Sequence, residues 1–235
     1  MKTFVLSALA LSLLAQVPAT AQTAPEVRTV AGFHAIEVSN GIELQLVSGT
    51  AQHVEAVADD AEQLARLKTE VSGGVLRITF ERKLNETWTM AKTRHLRVNV
   101  TATALDALQA SSGSTVVVAG AFTADKLDVQ VSSGATLKGS FTTTDLHAQV
   151  SSGGVATMGG NAQRLDVGAS SGGVFKGGEL LARACDASAS SGGTVDVAVQ
   201  DTLTAKASSG GDVRYSGSPK DVTRHTSSGG SVKGR

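Results

Sequence analysis

The stretch that decides the fold covers residues 150–173 and reads VSSGGVATMGGNAQRLDVGASSGG. The chain contains seven copies of its tripeptide Ser-Ser-Gly, with first serines at Ser111, Ser132, Ser151, Ser170, Ser190, Ser208 and Ser227. The steps between these serines are 21, 19, 19, 20, 18 and 19 residues, so the period is close to 19. A period of 19 residues extends over ~60 Å, enough for one closed coil of three short strands and their corners. The repeat therefore predicts a parallel β-helix.

Alignment of the repeats on their first serines separates apolar columns from polar ones. Five residues before the serine stand Leu127, Leu146, Leu165, Cys185, Leu203 and Val222. The position three residues before the serine is also apolar in most repeats, and the residues between the two columns are mostly polar. This alternation predicts half-buried strands. The predicted fold class is therefore all-β, a single-stranded parallel β-helix of about 19 residues per coil, which strand twist favours in the right-handed form.

The composition of the turn has a physical reason. A tight corner needs a positive φ, which glycine adopts at little cost, and small hydroxyl side chains can bond to nearby backbone. Stacked coils would place the serines above one another at ~4.8 Å, so we expect their hydroxyls to form hydrogen bonds along the stack. Structural need is thus a sufficient explanation for the motif.

Composition and charge exclude several classes of protein. The chain has 235 residues with 21 Lys+Arg against 21 Asp+Glu, which leaves no net charge to attract nucleic acid. A single Cys provides neither an intramolecular disulfide nor a cysteine zinc site. Residues 1–21 combine Lys2, an apolar run and Ala19-Thr20-Ala21, which is typical of a secretory signal peptide. No later segment reaches the ~20 apolar residues that span a bilayer. We therefore expect export to the periplasm or cell surface, without a transmembrane segment.

The region 22–105 lacks the regular repeat and is predicted to be an irregular β region that caps the repeat region 106–235. Its predicted strands are Phe33 to Val38, Ile42 to Val47, His53 to Val57, Leu76 to Phe80 and Leu96 to Val100. A short helix is predicted within 59–68, and 81–95, with Trp88, is predicted to be a protruding loop. The sequence Val71-Ser72-Gly73-Gly74 lies about two periods before Ser111 and looks like a related turn.

The opening of the mature chain carries a family resemblance. Phe33-His34-Ala35-Ile36-Glu37-Val38, then Asn40-Gly41-Ile42-Glu43-Leu44, together with the Ser-Gly-rich tail, resemble the bacterial head GIN domain family, which is labelled an auto-transporter adhesin. The likeness covers about residues 27–234 and lies in pattern and turn composition. It implies a secreted β-helical domain. The Gly-Ile-Asn of the family label reads Gly41-Ile42-Glu43 in this chain.

One outward column has a suggestive composition. Four residues before successive turns stand Asp128, His147, Asp166 and Asp186, which stacked coils would bring within ~5 Å of one another. Parallel β-helix enzymes that act on acidic polysaccharides use carboxylates on such a face, and oxygen ligands with an imidazole could also hold a divalent metal. The alternative is a solvated sheet face, because close carboxylates without partners repel one another. We name this column the Asp/His ladder and treat it as a candidate ligand face.

Other motifs favour structural roles. Gly168-Ala169-Ser170-Ser171-Gly172 fits the Gly-x-Ser-x-Gly nucleophile pattern, but no helix is predicted after it. Cys185 occupies the inward column and is expected to be a buried small hydrophobe. Lys138, Lys176, Arg214 and Lys233 form a mostly basic column after the turn, which either meets an acidic glycan or protects a strand edge. Trp88 either anchors a sugar or partner or packs its loop onto the coil.

These observations predict an exported, non-enzymatic binding or scaffold protein, adhesin-like, that presents flat β-helix faces to a polysaccharide or protein. No cofactor is expected. The alternative is a polysaccharide lyase or hydrolase that uses the Asp/His ladder. Ice binding is disfavoured because valines and an aspartate interrupt the column Thr115, Thr136, Val155, Val174, Thr194, Asp212, Ser231. The last coil is incomplete and has no evident polar cover, so homo-oligomer formation through this open C-terminal coil is also predicted.

Overall fold

The structure is a computed structural model that describes residues 24–82 and 94–235. These residues form sixteen strands and one helix. The elements are β1 Glu26–Val27, β2 Ala35–Val38, β3 Glu43–Ser48, β4 His53–Val57, α1 Ala61–Arg66, β5 Leu67–Ser72, β6 Val75–Phe80, β7 Arg97–Ala102, β8 Ala107–Ala110, β9 Thr115–Val131, β10 Thr136–Val150, β11 Val155–Ala169, β12 Val174–Ala189, β13 Thr194–Ala207, β14 Asp212–Ser216, β15 Asp221–Thr226 and β16 Ser231–Gly234. They build an all-β solenoid of parallel strands with about 7 turns and ~19 residues per turn. The predicted fold class is confirmed; its right-handed form stays a prediction.

Strands β9 to β13 each run from one Ser-Ser-Gly turn to the next and pair in parallel with the strands before and after them. The register matches the sequence alignment, since Leu146 pairs with Leu127 and Leu165, and Leu165 pairs with Cys185. All four side chains are at most 4% exposed. The predicted inward column is therefore confirmed from Leu127 to Leu203, and it forms a narrow aliphatic core along the axis of the solenoid. The prediction is wrong for Val222, which is 36% exposed because β15 pairs with β13 alone among the described strands.

Each coil in this part is one continuous strand that bends, rather than three separate short strands. In β10 the buried side chains are Leu137, Phe141, Thr143, Leu146, Ala148 and Val150, so the spacing of two is interrupted twice. A strand that keeps its apolar side inward while it turns a corner must lose this alternation at the corner. We call residues 145–150 of β10 and their equivalents the pre-turn wall, and residues 136–138 and their equivalents the post-turn wall.

Every Ser-Ser-Gly turn has the same backbone conformation. The second serine has φ between 48° and 53°, and the following glycine has φ between 71° and 74°. Two successive residues with positive φ are the signature of a type I′ turn. In the fifth turn Gly193 N–H donates to Ser190 C=O at 2.8 Å, which closes the turn, and Gly192 N–H donates to Ser209 C=O of the next coil at 3.2 Å. The predicted positive φ of glycine is confirmed.

The predicted ladder of serine hydroxyls is wrong. Among residues 24–82 and 94–235 no hydrogen bond joins the hydroxyls of two stacked turns, and backbone bonds of the Gly192 to Ser209 type connect the turns instead. The second serine is exposed in all seven turns. Its left-handed conformation costs a residue with a side chain about 1–2 kcal/mol, so backbone geometry rather than side-chain bonding governs this corner.

A second glycine follows five of the turns for a different reason. A Cβ on Gly193 would lie 2.4 Å from the carbonyl oxygen of Ala169 in the preceding coil, and Gly173 would meet Val150 in the same way at 2.3 Å. Gly193 therefore permits a close approach of two backbones. The two glycines of Ser-Ser-Gly-Gly thus have different roles. The first adopts the positive φ of the turn, and the second, without a side chain, lets two coils approach closely.

The N-terminal region contributes a coil that the sequence analysis did not recognise as part of the stack. Asn40 and Gly41 have φ of 64° and 72°, and Gly41 N–H donates to Ser112 C=O at 3.0 Å. Strands β2 and β3 flank this turn and pair in parallel with β8 and β9. The Asn40-Gly41 turn therefore extends the column of Ser-Ser-Gly turns by one coil.

The chain then adds strands on the far side of this coil. β6 pairs in parallel with β2, and β7 pairs in parallel with β3, so β6 and β7 lie where a preceding coil would lie. Two antiparallel strands follow outward, β5 on β6 and β4 on β7. The prediction that Ser72-Gly73-Gly74 resembles a solenoid corner is wrong, because it is the hairpin turn between β5 and β6. The predicted helix is found at Ala61–Arg66, where the Asp60 side chain accepts from Gln63 N–H.

The C-terminal end of the core is covered by an arginine. Arg224 of β15 pairs in register with Ala205 of the inward column, and its guanidinium lies 5.3 Å from the centre of the Tyr215 ring. It also donates a hydrogen bond to the Tyr215 hydroxyl. This arginine covers the apolar interior, whereas the predicted lack of a polar cover concerns the outer strand edges. Among the described residues no strand pairs with the outer edges of β15 and β16.

Candidate functional site

The Asp/His ladder lies on the pre-turn wall in the predicted register. His147 of β10 pairs with Asp128 of β9 and with Asp166 of β11, and Asp166 pairs with Asp186 of β12. The Nδ1 atom of His147 lies 3.3 Å from the Oδ2 atom of Asp166, and the two side chains are 42% and 61% exposed. The strands hold these side chains on one face because the neighbouring residues, such as Leu146 and Ala148, are buried.

Three ladder residues line a shallow depression of about 260 Å³. Its lining consists of Asp106, Lys126, Leu127, Asp128, Asp145, Leu146, His147, Arg164 and Asp166. Asp186 lies one coil further on and is not part of the lining. The structure therefore brings Asp128, His147 and Asp166 together at one site and leaves Asp186 beside it.

A second outward column, which the sequence analysis did not consider, contributes to this site. Lys126, Asp145 and Arg164 pair with one another on adjacent strands, two residues before the ladder. The Nη1 atom of Arg164 lies 3.1 Å from the Oδ1 atom of Asp145. The signal was present in the sequence, because outward residues recur at a spacing of two on a strand. Aligning one further polar column would have found it.

Asp106 joins the depression through the N-terminal region. It precedes β8, and its Oδ2 atom lies 3.1 Å from His34 Nδ1. Its backbone carbonyl accepts a hydrogen bond from Asp128 N–H at 2.9 Å, which ties it to the first ladder residue. Asp106 stands five residues before Ser111, in the column that is apolar in the later coils, so alignment predicts its place beside Leu127 but not its exposed side chain. The completed site is a mixed-charge surface with acidic and basic side chains on one face of the wall.

The arrangement offers several hydrogen-bonding groups to a bound molecule. No group of three or more His, Cys, Asp or Glu side chains in the described parts of the chain is placed to hold a metal ion. The paired groups His147 and Asp166 are open to solvent, whereas efficient electrostatic catalysis relies on a site that excludes water. Carboxylates, an imidazole and a guanidinium can instead accept from and donate to the hydroxyls of a bound molecule.

The remaining candidates have structural positions. Ser170 begins a type I′ turn between β11 and β12, so the Gly-x-Ser-x-Gly pattern has no strand-to-helix elbow. Cys185 is 4% exposed, and burial, together with the charges of Asp186 and Asp166, raises the pKa of its thiol to about 12. A thiol with so high a pKa is a poor nucleophile at neutral pH. Its predicted role as a buried hydrophobe is confirmed.

The basic column lies where the sequence predicts it, on the post-turn wall. The basic column stacks in register on the post-turn wall, where Thr157 and Asp196 interrupt it as the alignment predicts. Trp88 and the predicted signal peptide, residues 1–21, lie outside the described residues. Within the part of the chain that the structure describes, no helix has the length and apolar character needed to cross a membrane.

These features define a parallel β-solenoid protein with a mixed-charge depression on one wall. The chain belongs to the family described as "Putative auto-transporter adhesin, head GIN domain", whose sequence pattern matches residues 32–219. The resemblance drawn from the opening strands and the Ser-Gly-rich tail is thereby confirmed.

Solved structures show the same fold. A "putative adhesin" from Bacteroides fragilis gives a TM-score of 0.80 at 18% identity, and one from Parabacteroides distasonis gives 0.70 at 22%. A "putative lipid binding protein" from Parabacteroides distasonis gives 0.62 at 16%. Each match covers 90% of this chain and 96% of the other. At such identities the likeness establishes the fold alone. No curated protein sequence matches the chain.

Proposed function

We propose that this protein is an exported, non-enzymatic binding protein with an adhesin-like role, and that the depression on the pre-turn wall holds a segment of polysaccharide. The observation that supports this proposal is the stacking of His147 between Asp128 and Asp166, with Lys126 and Arg164 beside them. Successive coils present these groups at a spacing of ~4.8 Å. An extended polymer can therefore meet similar groups from several coils in turn.

The chemistry of the lining supports a hydroxyl-rich ligand. Asp145 and Arg164 are paired at 3.1 Å, and His147 and Asp166 at 3.3 Å, so much of the local charge is balanced. Paired charges that stay partly exposed retain free donor and acceptor positions for hydroxyl groups. The side chains of Leu127 and Leu146 are 2% exposed and belong to the core, so the polar side chains of the lining provide the contacts.

The family relationship supports the adhesin-like part of the proposal, because the family description and the names of two solved structures contain that word. Export is supported by the signal-peptide pattern at residues 1–21. An envelope or surface location would give the solenoid access to polysaccharides and to other cells.

The test is a glycan-binding screen with purified residues 22–235, followed by calorimetry on each polysaccharide that binds. We expect Asp166→Asn and His147→Gln each to weaken binding at least tenfold. Arg183→Gln is the matched control, since it removes a similar ion pair, Arg183 to Asp201 at 3.1 Å, outside the depression. Unchanged affinity in the Asp166 and His147 variants, or equal losses in all three, would contradict the proposal.

The alternative of a polysaccharide lyase or hydrolase is tested in the same samples. Such an enzyme would release unsaturated or reducing sugar ends from the bound polysaccharide, and Asp166→Asn would abolish that release. Stable binding without product over a day of incubation is the expected result. Product formation that depends on Asp166 would replace the binding proposal with the enzymatic one.

We also propose self-association through the C-terminal coil. The six residues of β15 are all exposed, and within residues 24–82 and 94–235 the outer edges of β15 and β16 have no partner strand. Open strand edges favour pairing with another strand. Sedimentation at rising protein concentration should show dimers, and Val222→Pro, at a position whose N–H faces the open edge, should reduce them. A monomer at all concentrations would overturn this proposal.

A further inference from the structure

A second depression, of about 240 Å³, lies on the pre-turn wall further towards the C-terminus. It spans three coils and borders the Ser-Ser-Gly corner rather than the Asp/His ladder. Its lining consists of Ser188, Ala189, Ser190, Lys206, Ala207, Ser208, His225, Thr226 and Ser227. The first serines of three successive turns thus form one side of it, and the outward column Ser188, Lys206, His225 forms the other.

The charge in this depression is entirely positive. Lys206 is an exposed ammonium group, and His225 stands beside it on the next coil. No carboxylate belongs to the lining. The described residues include no ion pair within 4 Å to either side chain, and Asp186, which stands two residues before Ser188, makes none with Lys206. Lys206 therefore keeps all three of its donor hydrogens available.

A depression at the same place in the earlier coils provides an internal comparison. It has a volume of about 170 Å³ and lies beside Ser39, Ser111 and Ser132, which begin earlier turns. Its outward column contains Glu37 and glutamines, and Glu37 is paired with Arg77 at 2.9 Å. The same corner geometry thus carries an acidic and amide lining at one end of the wall and a cationic, hydroxyl lining at the other.

The depression of the earlier coils and the C-terminal depression are separate, because a side chain covers the wall between them. Gly168 occupies the intervening position of this column, and a Cβ on it would lie 2.3 Å from the Oε1 atom of Gln149. The Gln149 side chain therefore covers the wall at Gly168. A ligand of the C-terminal depression meets Lys206, His225 and serine hydroxyls, and does not reach the glutamines of the earlier coils.

We propose that this C-terminal depression binds an oxyanion carried by an acidic polysaccharide, such as the carboxylate of a uronate unit. An ammonium group with neighbouring hydroxyl donors favours oxyanions, because hydrogen bonds to a charged acceptor are roughly twice as strong as neutral ones. The small serine and alanine side chains leave space for a sugar ring beside Lys206. The site is distinct from the mixed-charge depression and goes beyond the proposed function, which does not depend on it.

The experiment measures binding of a defined oligogalacturonate to residues 22–235 at low salt by calorimetry. Lys206→Gln should weaken binding at least tenfold and His225→Gln at least threefold. Lys220→Gln, an exposed lysine outside both depressions and outside the basic column, is the matched control and should leave binding unchanged. A neutral oligosaccharide of equal length and inorganic phosphate serve as probes of the ligand chemistry.

The outcomes separate this inference from the first proposal. Equal losses in Lys206→Gln and Lys220→Gln, or no binding of oligogalacturonate at low salt, would overturn the site. Phosphate binding as tight as that of the oligomer would overturn the assignment to a polysaccharide. Loss of oligogalacturonate binding in Asp166→Asn with full retention in Lys206→Gln would place the ligand in the mixed-charge depression and also overturn the inference.

Discussion

Two corners of the solenoid coil differ in how much their backbone geometry varies from one coil to the next. At the Ser-Ser-Gly corner all seven turns share φ values within 5° at the serine and within 3° at the glycine. At the opposite corner, which we call the far corner and which includes Gly120, Gly139 and Gly177-Gly178, the ladders shift register. These shifts lie between Lys138 and Ser140 and between Thr157 and Gly159. The steps of 18 to 21 residues between repeats are therefore absorbed mainly at the far corner, with one further shift between Ala182 and Ala184.

The difference shows which interactions set the repeat. The Ser-Ser-Gly corner is held by two residues with positive φ, by a bond within the turn and by a bond to the next coil. An extra residue there would break all of these at once. The far corner is a bulged strand, and bulges accommodate extra residues with a local change of twist. Regularity in the sequence thus marks the corner where several backbone constraints coincide.

Insertions test this comparison most strongly. One extra glycine between Ser191 and Gly192 removes the turn bond and the bonds to both neighbouring coils, and it should cost about 3 kcal/mol at about 1 kcal/mol per bond. The same insertion between Gly177 and Gly178 should cost less than about 1 kcal/mol, because it lengthens an existing bulge. Urea unfolding measures both values. Equal losses at the two corners would break the comparison.

Gly193→Ala examines the close approach of two coils. The new Cβ would lie 2.4 Å from the Ala169 carbonyl oxygen, so the coils must separate locally, at an expected cost of about 2 kcal/mol. Ala135 occupies the same position after an earlier turn and is fully buried. The reciprocal change Ala135→Gly should cost only about 1 kcal/mol, through the entropy of the unfolded chain. Thermal unfolding of both variants should show the larger loss for Gly193→Ala; the reverse order would count against steric contact as the cause.

Ser191 tests the positive φ of the turn itself. At a φ of 49° a β-branched residue is strongly disfavoured, so Ser191→Val should destabilise the protein by about 1–2 kcal/mol. Ser191→Asn should be neutral or slightly stabilising, because Asn40 adopts the same conformation in the first turn of the stack. Chemical denaturation of this pair distinguishes backbone strain from loss of the hydroxyl. Equal destabilisation by Val and Asn would indicate that the hydroxyl matters.

The smallest expected effect concerns the end of the stack. Arg224→Ala removes a guanidinium that lies over the Tyr215 ring, and it should destabilise the protein by about 0.5–1 kcal/mol. Arg224→Leu would instead continue the apolar inward column and should increase self-association. Thermal unfolding and light scattering measure these outcomes. Unchanged stability and unchanged size in both variants would show that Arg224 does not cover the core.

The repeat region and part of the candidate site were predictable from the sequence. The inward columns, including Cys185, and the order Asp128, His147, Asp166, Asp186 follow from alignment on the serines, because parallel coils in register place equivalent residues next to one another. The contribution of Asp106 was predictable only in part. Alignment puts it five residues before Ser111, in the column of Leu127, but its exposed side chain and its pairing with His34 follow from the packing of β8 beside β2.

The coil length, the buried and exposed faces of the strands and the position of the Ser-Ser-Gly corner can be read from the amino-acid sequence, because each depends on local backbone preferences and on the spacing of two along a strand. Long-range packing instead places β6 and β7 outside β2 and β3, makes Ser72-Gly73-Gly74 a hairpin turn, and puts Arg224 over the end of the core. These features depend on pairing between segments distant in the chain. Such pairing is governed by the total burial and hydrogen bonding of the assembled sheet, and no short stretch of sequence encodes it.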